Sequence, residues 1–348
     1  MITKGKRPTI SDIAKATGYS KTAVSFAFNF PERISKETRE KILRTAKELN
    51  FSPDPVARNF SRGKYMTIGF LLPQRLETSL SNPYTQDVIK GIGCICEEHG
   101  YTLTLIPPLH SSISEAIKNA TVDGLIAMGF FFNKNINEAF SLRKLPAVVI
   151  DGIGDNDMVS VGIDDIAASE LAMNKAIECG HRDIAIITLP DDAYAFSTPE
   201  EATTICKKRK LGYMNSMINH GLDTHDALIE SCKATLEDGK ETAKRILRNN
   251  NRPTCIICMS DIVALGVISE LKEQGISVPQ EISVIGFDGI LDSNLTGFEL
   301  TTVSQSAIEK GMLSANLIFQ ILNGKTVKRQ NHIGYHFIEG STLEKRSK

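Results

Sequence analysis

The sequence predicts an α/β protein with an all-α helix-turn-helix head at its N-terminus and a two-lobed body built on parallel sheets. Two observations predict this architecture. Three short amphipathic helical segments fall within the first 50 residues, and from Met66 onward apolar runs alternate with amphipathic helices. The chain has 348 residues, of which 41% are hydrophobic, so it can form more than one core and is not disordered throughout.

Charge is divided unevenly along the chain. Residues 1–64 contain 14 Lys and Arg against 6 Asp and Glu, a net charge of +8, whereas the other 284 residues carry −9. A basic head on an acidic body favours a polyanionic partner for the head. A solvated charged surface would give the same pattern, so charge alone leaves both interpretations open.

Cysteine usage and hydropathy favour a cytoplasmic protein. Seven cysteines, an odd number spread along a long chain, are more typical of reduced thiols than of a disulfide framework. No apolar run approaches the roughly 20 residues that span a bilayer, so we expect no membrane partner. Polar helix-forming sequence follows the basic N-terminus, which argues against a secretory signal.

The head has clear helix start and stop signals. Thr9-Ile-Ser-Asp12 has the form of a capping box and opens a first helix, which Gly18 ends in a tight turn. Ser20 is a good N-cap for a second helix that runs to about residue 28, and Ser35 caps a third. Three short helices with a turn between the first two suggest a helix-turn-helix, and a generic three-helix interaction module is the alternative.

The second helix of such a motif enters the major groove, which nominates its early residues as base readers. The residues expected to face base edges, or to lie one turn further on, are Lys21, Thr22, Ala23, Ser25 and Phe26. Three polar side chains of suitable size for phosphate contacts are Ser20, Ser25 and Asn29.

Residues 51–65 follow the third helix and contain two prolines, which stop it. Pro55 can occupy the first turn of a further short helix, and Gly63 would end that helix. A helix of about eight residues is marginal in water, so it would order against DNA or a partner. A plain interdomain linker is the alternative.

The body follows a strand–helix alternation. Buried strands are predicted at 66–72, 102–106, 124–128, 147–150, 183–188, 255–259 and 282–287. Helices are predicted near 84–99, 112–120, 165–178, 202–219, 237–249 and 261–274. This alternation indicates two parallel sheets covered on both faces, with a ligand between them where the strands end.

Polar residues that directly follow the predicted strands nominate ligand contacts. Asp151, Ser260 and Asp288 each follow an apolar run, and carboxylates at such positions suit a polyhydroxyl ligand because each accepts two hydrogen bonds. Any one of them might equally cap a helix. Asp261 is expected to be an N-cap, since a helical segment begins directly after it.

Motifs for catalysis or cofactor binding fail on inspection. Gly91-Ile-Gly93-Cys-Ile-Cys96 is an incomplete dinucleotide fingerprint inside a predicted helix. Cys255-Ile-Ile-Cys258 lies in an apolar strand with no second Cys/His pair nearby, which favours a buried structural role over zinc or redox chemistry. We therefore predict neither an enzyme nor a bound cofactor or metal.

These residues together resemble the LacI/GalR family of bacterial transcriptional repressors, and the resemblance runs nearly end to end. In the head and hinge it rests on Thr9-Ile-Ser-Asp-Ile-Ala-Lys-Ala-Thr-Gly-Tyr-Ser20, Val24-Ser25, Asn29, Ile34-Ser-Lys-Glu-Thr-Arg-Glu-Lys-Ile42 and Pro53-Asp-Pro-Val-Ala-Arg58. In the body it rests on His181-Arg-Asp-Ile-Ala, Arg209-Lys-Leu-Gly-Tyr213, Asp261-Ile-Val-Ala-Leu-Gly266, Val278-Pro-Gln-Glu-Ile-Ser-Val-Ile-Gly-Phe-Asp288 and Leu300-Thr-Thr-Val-Ser-Gln305.

The resemblance implies a domain plan. A helix-turn-helix domain would occupy residues 1–50, a hinge helix 51–65, and a periplasmic-binding-protein-like body for effector binding and dimerisation 66–348. The chain would cross between the lobes three times. The first lobe would comprise about 66–163 and 304–328, and the second about 164–303 and 329–342.

The resemblance also implies a function. Family members are homodimeric regulators, mostly repressors, that bind pseudo-palindromic operators in double-stranded DNA, and a small effector between the lobes controls their affinity. The effector is usually a carbohydrate and sometimes a purine or nucleoside. The absence of a leucine-heptad tail after the last strand implies a dimer. A transporter's solute-binding protein would share the body but would lack the basic head.

Site residues follow from the resemblance position by position. Those on the DNA side are Thr9, Ser20, Lys21, Thr22, Ala23, Ser25, Phe26, Asn29, Arg33, Ala57 and Phe60; those for the effector are Asp151, Arg209, Ser260, Asp288 and Gln305. Ala23 and Phe26 stand where many members have Thr and Arg, so direct base readout has fewer donors. Phe60 replaces the usual Leu wedge of the hinge, and Ser260 replaces a common Asn.

Overall fold

The computed structural model describes residues 8–53, 63–72, 74–129, 134–152, 158–190, 204–224, 227–290 and 297–346. The chain divides after Met66 into two compact units, a head and a body. Among the described helices, none combines the length and apolar character needed to cross a membrane.

The head is a three-helix unit. Its helices are α1 (Ile10–Thr17), α2 (Lys21–Asn29) and α3 (Lys36–Glu48), with one turn of 3₁₀ helix at Pro31–Arg33. The helices contact one another pairwise around a small core that consists of Ile13, Val24, Ala27, Ile42 and Ala46. This core, with partly buried apolar residues packed against it, holds the three short helices together, since helices of this length are marginal in isolation.

The predicted helix boundaries of the head are confirmed. The Thr9 backbone N–H donates to the Asp12 carboxylate at 2.8 Å, and the turn after α1 closes on Gly18 with φ +77°. Ser20 accepts from the Ala23 N–H at 3.1 Å, as an N-cap does. Ser35 accepts in the same way at the start of α3.

The described part of the body contains two six-stranded sheets. The first has the order β11-β5-β4-β3-β1-β2, from β1 (Thr67–Leu71), β2 (Thr102–Ile106), β3 (Gly124–Met128), β4 (Ala147–Ile150), β5 (Val159–Gly162) and β11 (Gln330–His332). The second has the order β12-β10-β9-β8-β6-β7, from β6 (Ile184–Thr188), β7 (Leu228–Ser231), β8 (Cys255–Cys258), β9 (Ser283–Asp288), β10 (Thr302–Ser304) and β12 (His336–Ile338). Pairing among these strands is parallel except between β10 and β12.

Helices cover both faces of each sheet, as the strand–helix alternation predicted. They are α4 (Leu76–Leu80), α5 (Pro83–Glu98), α6 (Ile113–Asn119), α7 (Lys134–Arg143), α8 (Asp165–Glu178), α9 (Thr204–Asn219), α10 (Leu236–Leu247), α11 (Asp261–Glu273) and α12 (Ala307–Leu322). Helix pairs pack backbone to backbone at glycines. A Cβ on Gly91 of α5 would lie 2.1 Å from the Ile308 carbonyl oxygen of α12, and one on Gly266 of α11 equally close to the Leu236 carbonyl of α10. A third pair does the same, since a Cβ on Gly212 of α9 would lie 2.3 Å from the Ile166 carbonyl oxygen of α8.

The described chain crosses between the two sheets after β5, after β10 and after β11. The predicted lobe boundary near residue 329 is wrong by a few residues, because Gln330–His332 pairs with β5 in the first sheet. The boundary at 303/304 moves by two residues, since Ser304 pairs with Asp288 in the second sheet and the Gln305 N–H donates to the Asp288 carbonyl. Backbone pairing decides both cases, because Gln330–His332 is a polar edge strand and Thr302–Ser304 has only three residues, too few for a pattern that would mark where it ends.

Candidate functional site

The outer face of α2 carries the side chains predicted to read DNA. Val24 and Ala27 face the head core, so residues on the other side of the helix point away from it. Lys21 and Thr22 are exposed in the first turn. The remaining predicted readers on this helix are half-buried, and they are Ala23, Ser25 and Phe26.

Several predicted phosphate contacts also have a role within the head. The Ser20 hydroxyl accepts from Ala23 as the cap of α2, which leaves its O–H free to donate. The Asn29 amide donates to Ser25 Oγ at 3.2 Å. The Thr9 hydroxyl donates to Asp12 at 2.7 Å.

An aromatic pair holds Arg33 at the end of α2. Phe26 and Phe30 meet edge to face, with ring centroids 6.1 Å apart. The Arg33 guanidinium carbon lies 5.6 Å from the first ring centroid and 4.9 Å from the second. Both distances fall within cation–π range. The predicted hinge contacts Ala57 and Phe60 lie outside the described residues.

A cavity of about 120 Å³ lies between the two sheets, at the carboxyl ends of their strands. Its walls include all five side chains predicted to contact an effector, which are Asp151, Arg209, Ser260, Asp288 and Gln305. Tyr84 and Asn82, from the start of α5, also line it and were not predicted. Their signal in the sequence is weak, because neither directly follows a strand.

Asp151 is paired within the protein on the first-lobe side of the cavity. It follows β4 with φ +50°, and its carboxylate accepts from the Tyr84 hydroxyl and from Lys310 Nζ. Burial and the neighbouring Asp151 raise the pKa of Tyr84 well above its usual value, so its hydroxyl stays a donor. Lys310, on α12, is fully buried and also donates to Tyr84 Oη at 3.0 Å.

On the second-lobe side of the cavity, Asp288 is likewise hydrogen-bonded within the protein. Ser260 Oγ donates to one carboxylate oxygen at 2.9 Å and Gln305 Nε2 to the other at 2.6 Å. Burial raises the pKa of Asp288 to about 7; Arg209 and the two hydrogen bonds oppose the rise, while Asp261 adds to it. The side chain therefore changes charge near neutral pH.

Arg209 on α9 lies against the second-lobe wall. Its Nε donates to Asp165 at 2.9 Å and its Nη1 to the Met259 carbonyl at 2.9 Å. The guanidinium carbon sits 3.7 Å from the ring centroid of Phe287. Burial opposes its charge, but Asp165 and Asp288 outweigh that effect, and the pKa of Arg209 lies above its usual value.

The N-cap role predicted for Asp261 is wrong. Ser260 occupies the N-cap position of α11, and Asp261 is the first helical residue. Its buried carboxylate instead accepts from the backbone N–H groups of Gly289 and Ile290, at 2.7 and 3.0 Å, and from the Thr302 hydroxyl at 2.6 Å. Asp261 thus supports the backbone next to Asp288.

The two motifs that fail as cofactor or metal sites, Cys255–Cys258 and the segment with Gly91 and Gly93, lie inside regular elements of the fold. Cys255 and Cys258 are fully buried on opposite faces of β8, each in a different core cluster. Burial raises the pKa of both thiols. Gly91 and Gly93 lie inside α5, not between a strand and a helix.

Comparison with known proteins assigns both units. Residues 9–54 match the family described as bacterial regulatory proteins of the lacI family. Residues 65–341, more than half of the chain, match the periplasmic binding proteins and sugar binding domain of the LacI family. The chain belongs to the LacI family. The head match distinguishes this LacI-family chain from the solute-binding proteins of transporters, which the body alone resembles.

Relatives of this LacI-family chain are transcription factors. It is 32% identical to an HTH-type transcriptional regulator of Mycobacterium tuberculosis, over 91% of this chain and 92% of that protein. It is also 32% identical to the HTH-type transcriptional repressor PurR of Histophilus somni, over 91% and 93%. The chain is therefore a DNA-binding transcriptional regulator and not an enzyme, as the sequence predicted.

Solved structures of the family share the fold. A LacI-family regulator of Corynebacterium glutamicum is 28% identical, with a TM-score of 0.71 over 97% of this chain and all of the other. The lac repressor dimer bound to operator and the anti-inducer ONPF superimposes with a TM-score of 0.79 over the same shares, at 21% identity. The second likeness supports the fold alone.

Proposed function

We propose that this regulator is a homodimeric repressor that binds a pseudo-palindromic operator, with an affinity set by a small uncharged carbohydrate in the cleft. The observation that carries the proposal is the convergence of Asp151, Arg209, Ser260, Asp288 and Gln305 on one cavity between the lobes. A ligand there would contact both lobes, so it would favour one arrangement of the lobes over another.

Charge pairing within the cavity wall favours an uncharged ligand. Asp151 is neutralised by Lys310 and Arg209 by Asp165, so neither is an unpaired ion. Apart from the exposed Lys233, the wall offers a ligand mainly amide, hydroxyl and carboxyl groups, among them those of Thr78 and Asn82. Such groups match the alternating donors and acceptors of a sugar.

A purine or nucleoside effector is the second candidate. Planar bases bind well when an aromatic face stacks on them. Among the described residues that line the cavity, Tyr84 supplies the aromatic ring, and its hydroxyl is already bound to Asp151 and Lys310. This favours the carbohydrate.

Lys233 makes sugar phosphates a third class to test. It is exposed in the cavity wall and adds a cation there. A phosphate group would require such a cation, because the guanidinium of Arg209 is already committed through two of its nitrogens.

The head would place α2 in the major groove of the operator. Lys21 and Thr22 are exposed and would read base edges, while Arg33, held by its two phenylalanines, would contact phosphate. Ala57 and Phe60 of the hinge would face the minor groove. Two heads related by a twofold axis would then read an inverted repeat.

The first test is selection of genomic DNA fragments on the purified full-length protein, at near-physiological and fixed salt. We expect an enriched inverted repeat, and a solution mass of two chains for the protein that binds it. Absence of an enriched motif, with and without added ligands, would contradict the operator proposal.

The second test uses the selected fragment. Its affinity would be measured with neutral sugars, sugar phosphates and purine bases or nucleosides, in matched series. We expect a neutral sugar to change operator affinity. A response only to purines, or only to phosphates, would reject the proposed ligand class but leave the regulator assignment standing.

A further inference from the structure

A fully buried lysine lies beside the cleft, on α12, where an apolar side chain would be expected. Lys310 Nζ donates to three oxygens, those of Tyr84 at 3.0 Å, Gln305 at 2.6 Å and Asp151. An ammonium group has three N–H donors, so each of them is used. A buried lysine whose three donors are all hydrogen-bonded is held by specific polar contacts and does more than fill space in the core.

The three partners of Lys310 do not belong to one lobe. Tyr84 lies in the first turn of α5 and Asp151 directly follows β4, both in the first lobe. Gln305 follows β10 of the second sheet, and its backbone N–H donates to the Asp288 carbonyl at 3.1 Å. The hydrogen bond from Lys310 to Gln305 therefore joins the first lobe to the second.

The chain of hydrogen bonds continues into the second lobe without a break. The Gln305 amide oxygen accepts from Lys310, so its nitrogen must face Asp288, to which it donates at 2.6 Å. Ser260 donates to the other oxygen of that carboxylate. Lys310 thus fixes the orientation of the Gln305 amide. In this orientation the amide nitrogen, and not the oxygen, faces Asp288.

Three residues on or beside this series of hydrogen bonds have a strained backbone. Asp151, Asp288 and Ser306, which precedes α12, have φ of +50°, +132° and +24°, a region that side chains other than glycine rarely adopt. Such conformations persist where the surrounding contacts over-determine them, typically at ligand clamps and switches. Three such residues beside one series of hydrogen bonds indicate a junction between the two lobes and not ordinary core packing.

We propose that Lys310 is a positioning residue that links the two lobes by orienting Gln305 and, through it, Asp288. Its relevance to an effector rests on the proposed function of the cleft. A ligand that bonds Asp288 or Gln305 would compete with this internal connection, so it would alter the contact between the lobes at the same time as it binds.

The test is hydrogen–deuterium exchange of the ligand-free, full-length protein. Lys310→Met combined with Asp151→Asn removes the ion pair without leaving a buried charge unpaired. Both substitutions lie in the first lobe. We expect exchange to become about tenfold faster in the second-lobe segments 283–290 and 302–305, the effect of losing one hydrogen bond to a charged group.

Two further variants separate positioning from general loosening. Gln305→Leu should speed exchange in the same second-lobe segments while the amides around Asp151 stay protected. Lys240→Met with Glu273→Gln, which removes an exposed ion pair of 2.6 Å, should leave those segments unchanged.

Unchanged exchange at 283–290 and 302–305 in the Lys310 variant, with faster exchange confined to the first lobe, would overturn the proposal. Faster exchange in every segment, including β7 of the second lobe, would also overturn it, because it would show a general loss of stability. The experiment uses neither DNA nor ligand, so its failure is distinct from failure of the proposed function.

Discussion

Arg209 donates through Nε to Asp165 across 2.9 Å, and the two side chains are only 5% and 6% exposed. This pair joins α9 to the start of α8 at the edge of the cleft. Its burial means that Arg209 has two roles, in the stability of the second lobe and in the chemistry of the cavity wall.

We predict that Arg209→Ala destabilises the body by about 3–5 kcal/mol, because it leaves Asp165 as a buried, unpaired carboxylate. The measurement is urea unfolding of the full-length protein, followed by circular dichroism. Arg245→Ala is the control, since it breaks an exposed ion pair of similar length with Glu230 and should cost about 1 kcal/mol or less.

The pair can also be removed as a unit. Arg209→Met with Asp165→Asn should recover much of the lost stability, because neither charge is then left alone. Its response to an effector should nevertheless be lost, since the guanidinium is absent from the cavity wall. Equal unfolding free energies for the single and double variants would show that the ion pair is not what Arg209→Ala disrupts.

The raised pKa of Asp288 predicts that the stability of the body depends on pH. Burial raises its pKa to about 7, above the value of about 3.9 for an unfolded chain, so the folded state favours the protonated carboxyl. The stability that the protonated Asp288 carboxyl contributes is fully present below about pH 4. It falls as the pH rises towards 7 and is lost above that pH.

Thermal unfolding of the native protein and of Asp288→Asn between pH 5 and pH 8 measures this effect. The stability of the native protein relative to the variant should fall between pH 5 and pH 7, by at most about 1.4 kcal/mol per pH unit, and then level off. Glu241→Gln is the control, because Lys244 lowers the pKa of that exposed carboxylate and its difference curve should be flat. A flat curve for Asp288→Asn as well would show that its carboxyl is ionised throughout this range.

The sequence predicts much of the fold because the buried parallel strands are apolar on both faces. β3 and β8 are examples, since every residue in each is buried. The cavity wall could be anticipated for a related reason. Parallel strands end at one edge of a sheet, so a polar residue directly after an apolar run, such as Asp151 or Asp288, lies at the cleft.

What the sequence does not predict depends on contacts between distant residues. Lys310 lies in a largely apolar helix, and its partner Asp151 is 159 residues away, so nothing local marks it as a cleft residue. Asp261 looks like a cap, but its acceptor atoms are used by Gly289 and Ile290 of another loop. The edge strand β11 consists of three polar residues whose pairing with β5 is a backbone property.

Lys21 provides a test of base readout. Lys21→Ala should weaken operator binding by about 1–3 kcal/mol while binding to random DNA changes much less, if the ammonium reads a base edge. Lys47→Ala is matched to it, because it removes one exposed cation from α3 of the same head. Both affinities must be measured at one salt concentration. Equal losses on operator and random DNA for Lys21→Ala would assign this lysine to phosphate.

Replacement of glycine by alanine should have opposite effects on stability at two positions of α5. A Cβ at Gly91 would lie 2.1 Å from the Ile308 carbonyl oxygen and 2.9 Å from the Met312 nitrogen, both backbone atoms of α12. Gly91→Ala should therefore force the two helices apart and destabilise the body by about 1–3 kcal/mol. A Cβ at Gly93 would meet nothing within 4 Å.

Gly93→Ala should consequently stabilise the same helix by about 0.5–1 kcal/mol, the helix-propensity difference between the two residues. Thermal unfolding of the two variants beside the native protein measures both effects. Because α12 carries Lys310, the Gly91 variant should also speed hydrogen exchange at 302–305, whereas the Gly93 variant should not. Destabilisation by Gly93→Ala, or tolerance of Gly91→Ala, would mean that α5 and α12 do not approach each other as closely as their backbones indicate.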